Sequence, residues 1–182
     1  MKKKTKSMLM AGELFAGLMV IGIIAGHLAG IRLNTTQSLP PGFYQFIPSS
    51  LEQIERGAIV MACPEYSEIQ REARARGYLH YGLACPGVFA PLFKRVMALP
   101  GDYVTVTRDG ITVNEHPVAN TGRLMADSQG RALPPLPTSG IVPSGMVWLL
   151  SDYAPRSYDS RYFGPVPAST VYGLARPVWT FD

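Results

Sequence analysis

The sequence predicts a mainly β domain that follows one N-terminal membrane-spanning helix. Two observations support this prediction. Short runs rich in β-branched and aromatic residues recur from residue 43 to the C-terminus. One long apolar segment precedes them all, with four of the chain's five lysines directly before it. At 182 residues, the chain has room for one modest domain plus attachments.

The apolar segment covers residues 8–31, in which Glu13 and His27 are the only ionisable side chains. A helix of this length would be roughly 36 Å long at about 1.5 Å per residue, enough to cross a bilayer. The lysines before it predict a cytoplasmic N-terminus over residues 1–7, so residues 32–182 would lie outside the cytoplasm, in the periplasm. A cleaved signal peptide is the alternative, because an uncharged core and small residues near residue 29 also fit one.

The positive charge of the chain is concentrated in this N-terminus. Of 17 Lys and Arg residues, the four N-terminal lysines leave 13, which balance the 13 Asp and Glu residues. We therefore expect no nucleic-acid partner, since the predicted domain has no basic excess. The sequence contains no Cys-x-x-Cys and no His-x-x-x-His, so it predicts no metal site.

Two cysteines, Cys63 and Cys85, lie on the exported side in this orientation, where disulfides persist. A disulfide between them would close the segment over residues 63–85, which we call the excursion. The Glu- and Arg-rich middle of this excursion predicts a short surface helix that ends at Gly77. Two unpaired thiols are the alternative.

The predicted strands share β-branched and aromatic composition and cover residues 43–47, 58–62, 92–99, 103–107, 146–150 and 171–179. Asp109-Gly110 stands between two alternating runs and predicts a hairpin with a type I′ turn. Residues 131–145 are rich in Pro and Gly and predict a surface loop.

One predicted strand places one of two basic side chains against an apolar layer. Alternate side chains of a strand share a face, so Lys94 would point the same way as Val96 and Ala98, and Arg95 the same way as Met97 and Leu99. Lys94 is also the only lysine after residue 6. A lysine serves as a base only when neutral, and burial favours the neutral form by lowering its pKa. The strand therefore offers a candidate general base.

Familiar nucleophile motifs are missing from the sequence, which has no G-x-S-x-G, S-x-x-K or H-E-x-x-H. Outside the apolar segment the histidines are His80 and His116, both in predicted loops or turns. Spacing alone leaves a Ser-His-Asp triad open, but nothing in the sequence favours it. A serine activated by Lys94 is the better hypothesis.

Three segments then carry a family resemblance. Residues 34–46 (NTTQSLPPGFYQF), 93–106 (FKRVMALPGDYVTV) and 149–167 (LLSDYAPRSYDSRYFGPVP) resemble the three signature boxes of the type I signal peptidase family, in the same order and behind an N-terminal anchor. The resemblance implies a coiled β-sheet fold around a substrate groove, with no metal or cofactor.

The resemblance also implies a role for each matching residue. Ser38 matches the nucleophile, Lys94 matches the general base, and Ser157 matches the serine that orients the lysine. Asp159 and Arg161 match a structural ion pair in the third box.

A sixth residue completes the implied site. Thr36 stands where a hydroxyl two positions before the nucleophile helps a backbone N–H to hold the oxyanion. The change from Ser to Thr at this position should keep the donor.

Departures from the usual boxes indicate a branch of the family. Housekeeping signal peptidases have Ser-Met-x-Pro-Thr at the nucleophile, and their third box usually opens with Gly-Asp-Asn; this chain has Ser38-Leu-Pro-Pro-Gly and Ser151-Asp-Tyr. The pattern Ser-x-Pro-x-Gly-x-Tyr resembles the TraF branch, the peptidases of conjugative DNA-transfer systems. Members of that branch mature the pilin subunit, and some join its ends into a circle. The third-box aspartate is counted as catalytic there, so we expect Asp159 to be required for catalysis as well as paired.

The predicted function is that of a membrane-anchored serine endopeptidase that processes a conjugative pilin precursor by hydrolysis or by cyclisation. It would be a single-pass protein of the inner membrane with a periplasmic catalytic domain, working beside the conjugative (type IV secretion) machinery. The short tether over residues 32–37 favours a retained anchor, because it would hold Ser38 at the bilayer surface. The alternatives are a general signal peptidase I and a non-enzymatic periplasmic subunit of the transfer channel.

Overall fold

The computed structural model describes residues 2–181, which are mainly β as the sequence predicts. Twelve strands and three α-helices lie within this range, in the order α1 (Lys2–Leu28), β1 (Ile31–Asn34), β2 (Gly42–Pro48), β3 (Ile59–Ala62), α2 (Glu68–Ala75), β4 (Tyr81–Cys85), β5 (Leu92–Ala98), β6 (Tyr103–Val106), β7 (Ile111–Val113), β8 (His116–Val118), β9 (Gly140–Ile141), β10 (Met146–Leu150), α3 (Ser160–Phe163), β11 (Val166–Pro167) and β12 (Val171–Thr180).

The N-terminal helix differs from its prediction at both ends. α1 begins within the lysine cluster and ends at Leu28, and Ile31 already pairs with Gln45 in the sheet. Gly30 makes the turn between helix and strand with a φ of +81°, and a Cβ there would lie 2.6 Å from the carbonyl oxygen of Phe46. The predicted end of the helix at residue 31 is therefore wrong, because strand pairing begins there instead.

Within residues 2–181, no helix has both the length and the apolar character needed to cross a membrane. The transmembrane helix predicted for residues 8–31 is therefore not supported.

A seven-stranded antiparallel sheet forms the body of the protein, in the order β1-β2-β12-β3-β5-β10-β11. β5 lies between β3 and β10, and one face of these strands packs on an apolar core that includes Val60, Val96 and Leu149. The predicted face of β5 is confirmed, since Lys94, Val96 and Ala98 are all buried. The sheet thus holds Lys94 on a buried face of an inner strand.

A second sheet of four strands, β8-β7-β6-β9, packs on β5 and β10 through a core that contains Val104, Ile111 and Trp148. β9 lies inside the segment predicted to be a surface loop over residues 131–145. That prediction is wrong at Gly140–Ile141, where the chain supplies an edge strand to β6.

The predicted hairpin between β6 and β7 is confirmed, but its turn is not of type I′. Four residues connect the strands, Val106 pairs with Ile111, and Asp109 lacks the positive φ that a type I′ turn requires. The next connection, from β7 to β8, has two central residues with φ of +49° and +67°, Asn114 and Glu115, as a type I′ turn requires.

The excursion over residues 63–85 is closed by the predicted Cys63–Cys85 disulfide, with the two Cα atoms 5.4 Å apart. The predicted surface helix is α2, whose N-cap is Ser67; the Ser67 hydroxyl accepts a hydrogen bond from the backbone N–H of Gln70. Gly77 follows the helix with a φ of +83°, which explains why the helix stops there.

Candidate active site

Ser38 lies on the loop between β1 and β2, residues 35–41, which we call the Ser38 loop. The side chain of Asn34, which is 1% exposed at the end of β1, holds this loop from inside. Its amide nitrogen lies 3.3 Å from each of three backbone carbonyl oxygens, those of Thr36, Leu39 and Pro40. Its carbonyl oxygen accepts from the backbone N–H of Thr36 at 3.0 Å. Four backbone groups of the Ser38 loop thus contact one buried amide.

The residues that follow Ser38 fix the far end of the loop. The hydroxyl of Tyr44 donates to the carbonyl of Pro40 at 2.7 Å, and its ring packs in an apolar cluster with Leu39 and Phe93. Gly42 has no room for a side chain, because a Cβ would lie 2.2 Å from the backbone oxygen of Trp179 on β12. The Ser-x-Pro-x-Gly-x-Tyr pattern therefore encodes the conformation of the Ser38 loop.

Lys94 on β5 reaches Ser38 through the interior of the protein. The lysine is 2% exposed, and its Nζ donates hydrogen bonds to Ser38 Oγ and, at 2.8 Å, to Ser157 Oγ. Ser157 Oγ in turn lies 3.2 Å from Ser38 Oγ and donates to it. The structure brings together the three residues that the resemblance matched to nucleophile, base and orienting hydroxyl.

Burial changes the protonation of this lysine. Desolvation lowers the pKa of Lys94 to about 8, with the carboxylate of Asp159 acting in the opposite direction and the guanidinium of Arg161 adding to the decrease. A lysine with this pKa is neutral in a substantial fraction of molecules at mildly alkaline pH. The arrangement can therefore remove a proton from Ser38.

Asp159 and Arg161 form the ion pair that the third box predicts, and both side chains are 0% exposed. The guanidinium contacts both carboxylate oxygens, with Nε 2.7 Å from Oδ1 and Nη2 3.0 Å from Oδ2. Arg161 Nη1 donates to the carbonyl oxygens of Asn120 and Pro155. In the described part of the chain, no hydrogen bond joins the Asp159 carboxylate to Lys94 or Ser38.

Thr36 lies close to Ser38, but its hydroxyl points elsewhere. Its Oγ1 donates to the side-chain oxygen of Asn34 at 2.7 Å. The backbone N–H of Ser38, in contrast, makes no hydrogen bond to another residue in the range 2–181. An N–H that points to no protein acceptor is what an oxyanion donor requires.

Ser38, Lys94 and Ser157 open on a groove of about 820 Å³. Residues 77–81 of the excursion and the loop that carries Asp127 also line it. The carboxylate of Asp127 accepts hydrogen bonds from the Tyr78 hydroxyl and, at 2.6 Å, from Arg131 Nε, which hold the pKa of Asp127 well below its usual range. The disulfide-tied excursion and this loop are thus joined into one wall of the groove.

Two residues of the site escaped sequence reasoning, Asn34 and Ser151. Both side chains contact backbone carbonyl oxygens. Every residue has such an oxygen, so no pattern of residue types in the sequence indicates the contact. The one available signal for Ser151 was its place in the third box, where the usual residue is glycine.

The histidines and acidic residues form no competing site in residues 2–181. No group of three or more His, Cys, Asp or Glu side chains there could hold a metal ion. His116 Nδ1 lies 2.7 Å from the backbone oxygen of Asn114 on the small sheet, and His80 lines the groove without a hydrogen bond to Ser38. The geometry therefore does not favour a Ser-His-Asp triad.

Comparison with known proteins identifies the family of this chain. The family model described as signal peptidase, peptidase S26, matches residues 3–180. The conjugal transfer protein TraF of Agrobacterium fabrum (strain C58 / ATCC 33970) is 45% identical over 172 residues, which cover 94% of this chain and 93% of that protein. The plasmid transfer protein TraF of Escherichia coli is 39% identical, with 91% of each chain covered. A crystal structure of a signal peptidase I from Enterococcus faecalis V583 aligns with a TM-score of 0.40 and 24% identity, covering 69% of this chain and 98% of that one. By the extent of the family match and the identity to the two TraF proteins, the chain belongs to the signal peptidase family, peptidase S26.

Proposed function

We propose that this protein is a serine endopeptidase that cleaves the pilin precursor of a conjugative transfer system, with Ser38 as nucleophile and Lys94 as general base. The observation that carries the proposal is the hydrogen bond between Lys94 Nζ and Ser38 Oγ, made by a lysine that is 2% exposed. Family membership and the high identity to TraF proteins support it.

The chemistry follows from the two hydrogen bonds of Lys94. In the neutral amine, the Nζ lone pair accepts the Ser38 proton while an N–H keeps its bond to Ser157 Oγ. Ser38 Oγ then bonds to the scissile carbonyl carbon, and the developing oxyanion meets the unpaired N–H of Ser38. The protonated lysine returns the proton to the leaving amine, and the peptide C–N bond breaks.

The acyl-enzyme has two possible acceptors. Water, deprotonated by Lys94, would give a linear product with a free carboxylate. The amino terminus of the acyl group would instead attack the acyl carbon and form a new amide bond. This route releases a circular peptide whose mass is one water less than that of the linear product. Both routes regenerate Ser38 Oγ and use the same base.

Attachment to a membrane through α1 is part of the proposal. Large apolar side chains of this helix are exposed, among them Leu14, Phe15, Ile21 and Ile23, each more than 60% accessible. Exposed apolar surface of this kind is unfavourable in water and favours contact with lipid. A periplasmic location for the catalytic domain agrees with the Cys63–Cys85 disulfide, because disulfides persist in that compartment.

The test uses the full-length protein in detergent with two substrates, the pilin precursor of the same transfer system and a secretory preprotein. Mass spectrometry should show that the wild-type protein cleaves the pilin precursor and that Ser38→Ala does not. Cleavage of the secretory preprotein at a similar rate would instead identify a general signal peptidase. An unchanged pilin precursor would contradict the proposed substrate.

A further inference from the structure

The segment that carries Asp159 reaches the backbone of the Ser38 loop through the buried hydroxyl of Ser151. Ser151 follows β10 and is 0% exposed. Its Oγ donates to the carbonyl oxygen of Ser38 at 2.5 Å and accepts from the backbone N–H of Ala154 at 2.9 Å. The orientation of this hydroxyl is thereby fixed, and its one proton forms the hydrogen bond to the Ser38 carbonyl oxygen.

The ion pair holds the backbone of the same serine on both sides. The N–H of Ser151 donates to Asp159 Oδ2 at 3.0 Å, and Arg161 Nη2 donates to the Ser151 carbonyl at 2.9 Å. All three residues are 0% exposed. The contacts therefore form a continuous chain from Arg161 and Asp159 through Ser151 to the backbone of Ser38.

We infer that Ser151 is a positioning residue for the nucleophile, and that Asp159 acts on the reaction through Ser151. This inference rests on the proposed function. A hydrogen bond to the Ser38 carbonyl fixes the peptide plane that follows Ser38, and with it the direction of the Cα–Cβ bond. Ser38 Oγ is then held within reach of Lys94 Nζ, so the Ser38 loop is already in the conformation that proton transfer requires.

The contact depends on a residue that differs from the usual one in the third box. The third box usually opens with glycine, which has no hydroxyl, whereas this chain has Ser151. The contact also gives Asp159, which we expect to be required for catalysis, a hydrogen-bonded route to the Ser38 backbone, although its carboxylate hydrogen-bonds neither Ser38 nor Lys94. This route passes through the Ser151 N–H and is separate from the electrostatic effect of the carboxylate on Lys94.

The experiment compares Ser151→Ala with a matched control in the full-length protein, using the pilin precursor as substrate. Ser151→Ala removes only the hydroxyl, so kcat should fall about tenfold, the equivalent of about 1.4 kcal/mol, with KM within about twofold. The pH at which activity is half-maximal should not move, because Lys94 keeps its contacts with Ser38 and Ser157.

Ser160→Ala is the control, since Ser160 is also 0% exposed on the same segment. Its Oγ accepts from the backbone N–H of Leu149 at 3.0 Å and, among the described residues, makes no hydrogen bond to Ser38. This variant should lose a similar amount of thermal stability to Ser151→Ala while keeping the wild-type kcat. Equal kcat values for the two alanine variants would overturn the inference.

A double-mutant cycle tests the link to Asp159. If Asp159 acts through Ser151, adding Ser151→Ala to Asp159→Asn should reduce kcat by much less than tenfold. A full tenfold further decrease would show independent actions and contradict the inference. If Asp159→Asn does not fold, the comparison of Ser151→Ala with Ser160→Ala still decides the role of Ser151.

Ser38→Ala separates this inference from the proposed function. Cleavage by Ser38→Ala would contradict the proposed function itself. An inactive Ser38→Ala together with a fully active Ser151→Ala would contradict only the positioning role.

Discussion

Lys94 Nζ lies 2.8 Å from Ser157 Oγ in the interior of the protein, where Ser157 is 5% exposed. This contact holds the amine of a long, flexible side chain against Ser38. Removing the hydroxyl in Ser157→Ala should therefore reduce kcat by about 10- to 100-fold, because Lys94 would lose one hydrogen bond and its alignment. Steady-state assays with the pilin precursor measure the effect.

Ser157→Thr keeps the hydroxyl and is the partner variant, which should recover part of the activity if it folds. Activity of Ser157→Ala equal to that of the wild type would show that Lys94 needs no orienting partner.

The pH dependence of activity should report the titration of Lys94. Burial lowers its pKa to about 8, and only the neutral amine can accept the proton of Ser38. At low substrate concentration, kcat/KM should rise about tenfold per pH unit below about pH 8 and level off above it. A profile that keeps rising to the ordinary lysine pKa of 10.5 would contradict a buried base.

The same titration should affect stability. Between about pH 8 and pH 10.5 the unfolded chain holds a proton on Lys94 that the folded protein does not, so the free energy of unfolding should increase with pH across this window. Lys94→Met lacks the titrating group and should not show this contribution. Denaturant unfolding of both proteins at several pH values measures the difference, and parallel curves would contradict the prediction.

Asn34 should be required for the conformation of the Ser38 loop. Asn34→Ala removes the amide that lies 3.3 Å from three loop carbonyls, so kcat should fall at least tenfold. Asn34→Asp should be worse, because a buried carboxylate cannot donate and would repel the same oxygens. Kinetic assays and thermal unfolding of both variants test this order. An active Asn34→Asp would contradict it.

The disulfide should stabilise the wall of the groove. Changing both Cys63 and Cys85 to alanine opens a loop with a sequence separation of 22 and should cost about 3 kcal/mol of stability. Because the excursion lines the groove, KM should rise more than kcat falls. Denaturant unfolding and steady-state kinetics measure both effects. A variant with unchanged stability would show that the packing of the excursion does not depend on the bridge.

Sequence reasoning was most successful where residue type alone carried the signal. The alternation along β5 predicted that Lys94 shares a face with Val96 and Ala98, and this face is buried. An even number of cysteines in a chain predicted to be exported indicated their pairing. The family pattern predicted the pairing of Asp159 with Arg161. Each of these features depends on the type of a residue and its place in the chain, which the sequence shows directly.

The features that sequence reasoning missed depend on backbone geometry. Asn34 and Ser151 bind carbonyl oxygens of the Ser38 loop, and any residue supplies such oxygens. The end of α1 was placed too late because Ile31 is as apolar as the helix, yet Gly30 turns the chain into β1. Asp109-Gly110 has the composition of a type I′ turn, but that geometry occurs at Asn114-Glu115.

The central claim is that Lys94 acts as a base, and Lys94→Arg tests it most directly. Arginine keeps the positive charge and much of the length but stays protonated, so it cannot accept the Ser38 proton. The measurement is pilin-precursor processing by Lys94→Arg in cells, with protein levels checked by immunoblot and Ser38→Ala alongside. A normally accumulated Lys94→Arg protein should process the precursor at least about 100-fold more slowly than the wild type, like Ser38→Ala. Processing by Lys94→Arg at close to the wild-type rate would contradict the serine-lysine mechanism.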